Sequence, residues 1–264
     1  MEWWAAYLAV GALAGFLAGL LGVGGGFVIV PSLIFLFNSQ HFPQTNLVHL
    51  ALGTSLASIM FTSVSSLRAH HAHGAVNWKI VRHITPGIVI GTLLGSVFAA
   101  MLSSSVLALF FAVFVFFAAT QILLDIKPKP HRQLPGSVGT FLVGIIIGFV
   151  FSLVGGGGAI LSVPFMLYCN IKAHDAIGTS AAIGFPIAVC GTAGYVFTGL
   201  TQHSLPPLSL GFVYLPALLW LVVASVFTAP FGAKLAHRLP VKRLKKIFAV
   251  YLYLVATKML VGLV

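Results

Sequence analysis

Apolar residues fall in long unbroken runs along this chain, and short polar stretches divide them. The first run spans about Trp3 to Leu21, with Trp3, Trp4 and Tyr7 where interfacial aromatics sit. It ends at GVGGGFVIVP, Gly22 to Pro31. Phe27 to Phe37 is apolar again but only 11 residues long, roughly 16 Å as a helix, so it predicts a half-helix or re-entrant arm. A polar loop, Asn38 to Asn46, leads into a longer segment, Leu47 to about Leu67, and then into a basic, histidine-rich connector, Arg68 to His83. Two further segments, about Ile84 to Leu102 and Ser105 to Ile126, meet at Ser103-Ser104. Runs such as Val106 to Ala119 are apolar on every face, which excludes the alternation of a membrane β-barrel and predicts spanning helices.

The order then repeats. After the charged, proline-rich linker Lys127 to Pro135 come a segment from about Gly136 to Leu153, the glycines of GGGGAILSVP (Gly155 to Pro164), a short arm from Ile160 to Tyr168 and a turn at Asn170 to Lys172. A long segment, a loop at Gly199 to Pro207, a segment from about Leu208 to Phe231, a basic turn from Lys234 to Lys246 and a last segment, Ile247 to Val264, complete the chain. Five segments per half is an odd number, so the second half enters the membrane with the opposite orientation. The expected fold is an all-α polytopic membrane protein. It has two inverted-topology repeats of five apolar segments each, with short or re-entrant arms after the glycine-rich turns. The repeats are residues 1–126 and 136–264, joined by a cytoplasmic linker, 127–135.

Composition fixes the solvent and charge the orientation. Hydrophobic residues make up 59% of the 264 and charged residues 6%, with a mean hydropathy of +1.08, more apolar surface than one soluble core uses. The formal charge of +11 would suggest nucleic acid in a soluble protein. Alternation through ten segments instead places every Lys and Arg except Lys258 on one face, the cytoplasmic one, with both termini outside. The N-terminus lacks the basic region of a cleaved signal and reads as a retained first helix. Cys169 and Cys190 read as free, buried thiols.

Two motifs recur in the same order. Gly22, Gly24, Gly25 and Pro31 match Gly155, Gly157, Gly158 and Pro164, while Gly26 corresponds to Ala159. HLALGTS, His49 to Ser55, matches HDAIGTS, His174 to Ser180. If each short arm starts just after its glycines, its free N–H groups and positive dipole end form an anion cradle near mid-membrane. The expected substrate site is therefore Gly24, Gly25, Gly26, Gly157 and Gly158, with hydroxyls from Thr54, Ser55, Thr179 and Ser180. The competing reading is tight helix crossing, with the hydroxyls bonded back to their own helices. Helix packing is the reading adopted for the GxxxG of Gly91 and Gly95.

Ionisable residues are few. His49 and His174, at matched positions, are candidates for proton coupling, with Asp175 either carrying protons or capping its helix. Arg68 and His70 stand at the cytoplasmic mouth, where they attract an anion. With no carboxylate or cysteine cluster beside His70, His71 and His73, no metal site is expected, and no cofactor.

GVGGGFVIVP, the GTS helix, RAHHAHGAV, SLVGGGGAILSVPFM and APFGAKLAHRLPVKRLKKIF together resemble the sulfite exporter TauE/SafE family of bacterial membrane proteins, over essentially the whole chain. The resemblance implies movement of small sulfur-containing anions, such as sulfite, sulfoacetate or other organosulfonates, across the bacterial cytoplasmic (inner) membrane. Export is the direction the family name suggests. The expectation is a secondary transporter working by alternating access, with protons as a candidate coupling ion, no nucleic-acid partner, and the homo-oligomeric state left open. The chain lacks the GxxxxGK[ST] loop that would bind a nucleotide, and enzyme motifs such as GxSG or HExxH. No enzymatic activity is expected. A passive anion channel lined by the same glycines is the nearest alternative; an intramembrane enzyme and a metal carrier using HHAH are more distant ones.

Overall fold

The computed structural model describes residues 3–21, 25–124, 133–202, 204–236 and 241–262. Among them are ten α-helices: α1 (Trp4–Leu21), α2 (Gly26–Ser39), α3 (Leu47–Ala72), α4 (Trp78–Met101), α5 (Ser104–Leu123), α6 (Ser137–Val154), α7 (Ala159–Tyr168), α8 (Ala173–Gly199), α9 (Leu215–Ala236) and α10 (Val241–Val261). A two-residue antiparallel ribbon, β1 (Ser209–Leu210) with β2 (Val213–Tyr214), precedes α9. Six of the helices, α3 to α6, α8 and α9, are long and apolar enough to cross a membrane. The protein is an all-α polytopic membrane protein. Side chains such as Leu94, Met101, Ile146 and Phe227 are exposed on the bundle's outside, as lipid-facing residues are.

Local chemistry sets the helix ends. The Asn77 side chain accepts from the Lys79 and Ile80 N–H groups to start α4, and Ser103 accepts from Val106 to start α5. α6 ends at Gly155, whose φ of +65° is left-handed and favours glycine. The basic connector expected over Arg68 to His83 is much shorter in the structure. α3 continues to Ala72 and α4 begins at Trp78, because arginine, lysine and histidine at helix ends reach water without breaking the helix. The last basic turn is shortened in the same way, since α9 extends to Ala236 and α10 starts at Val241. The segment expected from Leu208 begins as the β1–β2 ribbon, with helix only from Leu215.

Two helix pairs pack by backbone contact. A Cβ at Gly87, Gly91 or Gly95 of α4 would overlap the carbonyls of Phe141, Ile145 or Phe149 on α6, and one at Gly144 or Gly148 would overlap Ile84 or Ile88 in return. On α1, Gly11 and Gly15 meet the Leu221 and Ser225 carbonyls of α9 in the same way. Without a hydrophobic drive between helices in lipid, such close approach supplies the dispersion contact that holds them. α3 and α8 form the centre of the bundle, α4 also packing on α8 and α9 on α3, with α5 against α10. Adding or subtracting five from each helix number turns the α1–α9 pair into α6–α4, and α2–α3 into α7–α8.

The bundle has two ends, separated by the length of α4 from Ile80 to Ala99, about 28 Å. At one, Tyr7, Phe37, Phe42 and Tyr214 stack edge to face. At the other, Ile80, Met166 and Ala176 form a small separate core. Replacing Gly91 by leucine is expected to cost about 2 kcal/mol or more by forcing α4 from α6, whereas Leu94→Ala, on the lipid side, stays within about 0.5 kcal/mol of the parent. Thermal unfolding in detergent checks this; equal shifts for the two would remove the crossing from its structural role.

Candidate functional site

The two short helices enter from opposite ends, and the start of α2 meets the turn that leads from α6 into α7. α2 has its C-terminal Phe37 in the aromatic end, whereas α7 has Met166 in the Ile80 end. At 14 and 10 residues they measure about 21 and 15 Å. Each is shorter than a hydrocarbon core of about 30 Å. Between them, a Cβ on Gly26 would overlap the Gly155 carbonyl and come within 2.9 Å of the Gly156 Cα, so the two glycine motifs touch backbone to backbone.

Neither helix start carries a side-chain cap. The N–H groups of Gly25, Gly26 and Phe27, and those of Gly156 through Ile160, meet no acceptor among the described residues. Nearly all of this backbone is buried. Gly158, with φ +86°, turns the chain into α7 as only glycine does without strain. Two positive dipole ends linked through this buried turn, their first N–H groups without an acceptor among the described residues, suit an anion without needing a cationic side chain. Gly24 lies outside the described residues; Gly25, Gly26, Gly157 and Gly158 are all here, and Gly157 also presents its carbonyl to Gly184 of α8.

The GTS hydroxyls divide by residue. Ser55 donates to the Gly155 carbonyl at 2.9 Å, joining the central helix of the first half to the glycines of the second. Ser180 accepts from Ser162 of α7 at 2.8 Å. All four GTS hydroxyl residues are buried, but the threonines point elsewhere. Thr54 donates to the Leu50 carbonyl and accepts from the Tyr214 N–H at 3.0 Å, which leaves it no donor for a ligand. Thr179 accepts from the Asn77 N–H at 2.9 Å.

The matched histidines occupy different surroundings. His49 is buried, 3.0 Å from the Ala99 carbonyl and 3.4 Å from the Ser104 hydroxyl, stacked on Phe212. His174 is exposed, 3.6 Å from Asp175. Asp175 lies in the first turn of α8, where it favours the dipole, but the cap position is Lys172 and no side chain caps it. Arg68 is exposed and His70 half-buried near the end of α3, away from the glycines and beside the Ile80 end. Among the described residues no three histidine, cysteine, aspartate or glutamate side chains gather as a metal site would require. Cys169 and Cys190 are free, the first buried and the second half-buried.

One element escaped the sequence reading. Gly74-Ala75-Val76-Asn77 before α4 and Gly211-Phe212-Val213-Tyr214 before α9 take up the same contacts. Both glycines are left-handed, at φ +67° and +54°. The next residue donates its N–H to the preceding long helix, Ala75 to His70 and Phe212 to Tyr195. The carbonyls of those same residues abut the glycines of the two GTS motifs, Ala75 against Gly178 and Phe212 against Gly53. A G-x-V-x match was the available signal, too short to notice without the contacts.

Comparison with known proteins gives this geometry its context. The model of the sulfite exporter TauE/SafE family matches residues 7–259. A probable membrane transporter protein of Haemophilus influenzae is 39% identical over 257 residues, covering 96% of both chains. Bacillus subtilis YunE, also named a probable membrane transporter protein, is 28% identical over 271 residues and 95% of each chain. No solved structure matches the chain significantly. With helices built to span a bilayer, and a match running almost from end to end, this chain is a multi-pass membrane transporter and belongs to the sulfite exporter TauE/SafE family.

Proposed function

We propose that this transporter is a secondary carrier of small sulfur-containing anions, sulfite and organosulfonates such as sulfoacetate, acting as an exporter in a bacterial inner membrane. The observation that carries the reading is the contact of the buried start of α2, at Gly26, with the turn Gly155–Gly156 that leads from the end of α6 into the likewise uncapped α7. A buried N–H without an acceptor costs a few kcal/mol in an apolar medium, and an oxyanion repays that cost by accepting several such bonds at once. Sulfite and sulfonate groups offer three oxygens in the compact shape that converging N–H groups suit. The site we propose is Gly24, Gly25, Gly26, Gly157 and Gly158 with Ser55 and Ser180, while Thr54 and Thr179 hold its surroundings.

The halves 1–126 and 136–264 act as inverted repeats around this site, an arrangement supported by the entry of α2 and α7 from opposite ends. Alternating access then exposes the glycines first to one end and then to the other. The absence of a nucleotide-binding loop from the sequence points to a gradient as the energy source. The basic residues favour the Ile80 end as cytoplasmic, with Arg68 and His70 collecting anions there and both termini outside.

Flux of sulfite and sulfoacetate into proteoliposomes, with and without an imposed pH gradient, tests the reading. The expected result is flux driven by the gradient and abolished in a correctly folded Gly25→Leu. Equal transport by that variant would move the site away from the glycines, and steep voltage-driven flux indifferent to pH would identify a passive channel.

Of the two histidines, the buried one is the coupling residue we favour. His49→Gln, which keeps a donor for the Ala99 carbonyl, is expected to retain downhill flux but lose the pH drive, while His174→Ala changes neither. Persistence of the pH drive in His49→Gln would reduce His49 to a brace between α3 and α4.

A further inference from the structure

We infer that Thr54 and Thr179 are the latches of two gates, one at each end of the bundle, and that release of a latch opens its own end. The inference rests on the carrier reading above and assigns its moving parts. Each latch joins the central helix of one half to the connector of the other: α3 to residues 211–214 through Thr54, and α8 to residues 74–77 through Thr179.

The connector contacts at the two ends correspond, and Thr54 has in addition its bond to the Leu50 carbonyl. In each, a GTS glycine lets a connector carbonyl approach, and the following threonine accepts the N–H of the residue two places later, which immediately precedes the next long helix. That residue also seals its end. Tyr214 stands among Tyr7, Phe37 and Phe42, and Asn77 caps α4 just ahead of Ile80, which packs on Met166 and Ala176. A further connector bond, Asn46 to Ser204 at the Tyr7 end, lies at the exposed surface.

A threonine hydroxyl is suited to a reversible joint. Thr54 retains its bond to the Leu50 carbonyl when Tyr214 leaves, so opening uncovers no orphaned donor on the helix, and the released N–H faces the water that enters. Both latches are closed in this structure, the occluded arrangement a carrier passes through. One net hydrogen bond shifts such an equilibrium by roughly 2- to 12-fold, enough to set which end opens and small enough to break in each cycle.

The test uses the full-length protein in vesicles, with Cys169 and Cys190 replaced by serine and Ser180→Cys as an interior reporter. A membrane-impermeant maleimide is applied from either side, and Thr201→Cys on the exposed α8–α9 connector identifies the Tyr7 side. Thr54→Val is expected to raise labelling from the Tyr7 side about 3- to 10-fold without raising it from the other. Thr179→Val does the reverse, and Thr54→Ser restores the parent pattern. Gly53→Ala and Gly178→Ala, whose methyl groups displace the same connectors, show the same two polarities and give the answer if a valine variant does not reach the membrane. Labelling raised from the same side, from both sides or from neither by the two families of variants overturns the latches. Because labelling needs no substrate, opposite polarities in the labelled variants, with the parent protein that retains Ser180 moving neither sulfite nor sulfoacetate, would retain the latches and reject the proposed cargo.

Discussion

Backbone in direct contact with backbone is the interaction on which this bundle depends. In a bilayer the apolar side chains have little to gain by leaving lipid for each other, so cohesion requires short distances and satisfied polar groups. Glycines supply the distance where α1 crosses α9 and α4 crosses α6, at Gly11 and Gly15 on α1, at Gly87, Gly91 and Gly95 on α4, and at Gly144 and Gly148 on α6. The same device recurs where the two halves interlock, at Gly53, Gly178 and Gly26, but there the partner is a loop or helix start rather than a helix flank. One chemical means therefore serves both the helix crossings and the contacts that line the proposed site.

Much of this was legible in the sequence because the membrane imposes strong patterns. Unbroken apolar runs gave the helices, and the two glycine motifs gave the short arms, which the structure places at Gly26–Ser39 and Ala159–Tyr168. Packing as the role of Gly91 and Gly95 followed from their spacing and is what the α4–α6 crossing contains. The extent of α3 and α4 was hidden because residues 68–83 carry charge, which hydropathy reads as loop although a helix end reaching water tolerates it. The β1–β2 ribbon was hidden for the opposite reason, its Leu210, Phe212 and Val213 being as apolar as the helix that follows.

The partners of the candidate site's side chains were less legible than its glycine motifs. Sequence places Thr and Ser of each GTS side by side, but neighbouring helix positions face about 100° apart, so Ser55 reaches Gly155 while Thr54 reaches Tyr214. Likewise His49 and His174 match in sequence but not in surroundings. His49 is roofed by Phe212 from the α8–α9 connector, whereas the shorter α3–α4 connector has only Ala75 at the corresponding place, and His174 stands in the open. Partners distant in the chain decide these roles.

The two ends of the bundle also differ in what must be pulled apart. Five ring pairs among Tyr7, Phe37, Phe42 and Tyr214 close one end, and aromatic pairs contribute about 0.5–1.5 kcal/mol each beyond the area they bury. Among the described residues, the cluster of Ile80, Met166 and Ala176 at the other end has one ring, that of Phe165, packed against it. In the gating scheme proposed above, two doors of unequal weight would not stand ajar for equal times. In that scheme the empty protein faces one side more than the other, so side-chain size sets how readily each side loads, while the direction of net movement still comes from the gradient.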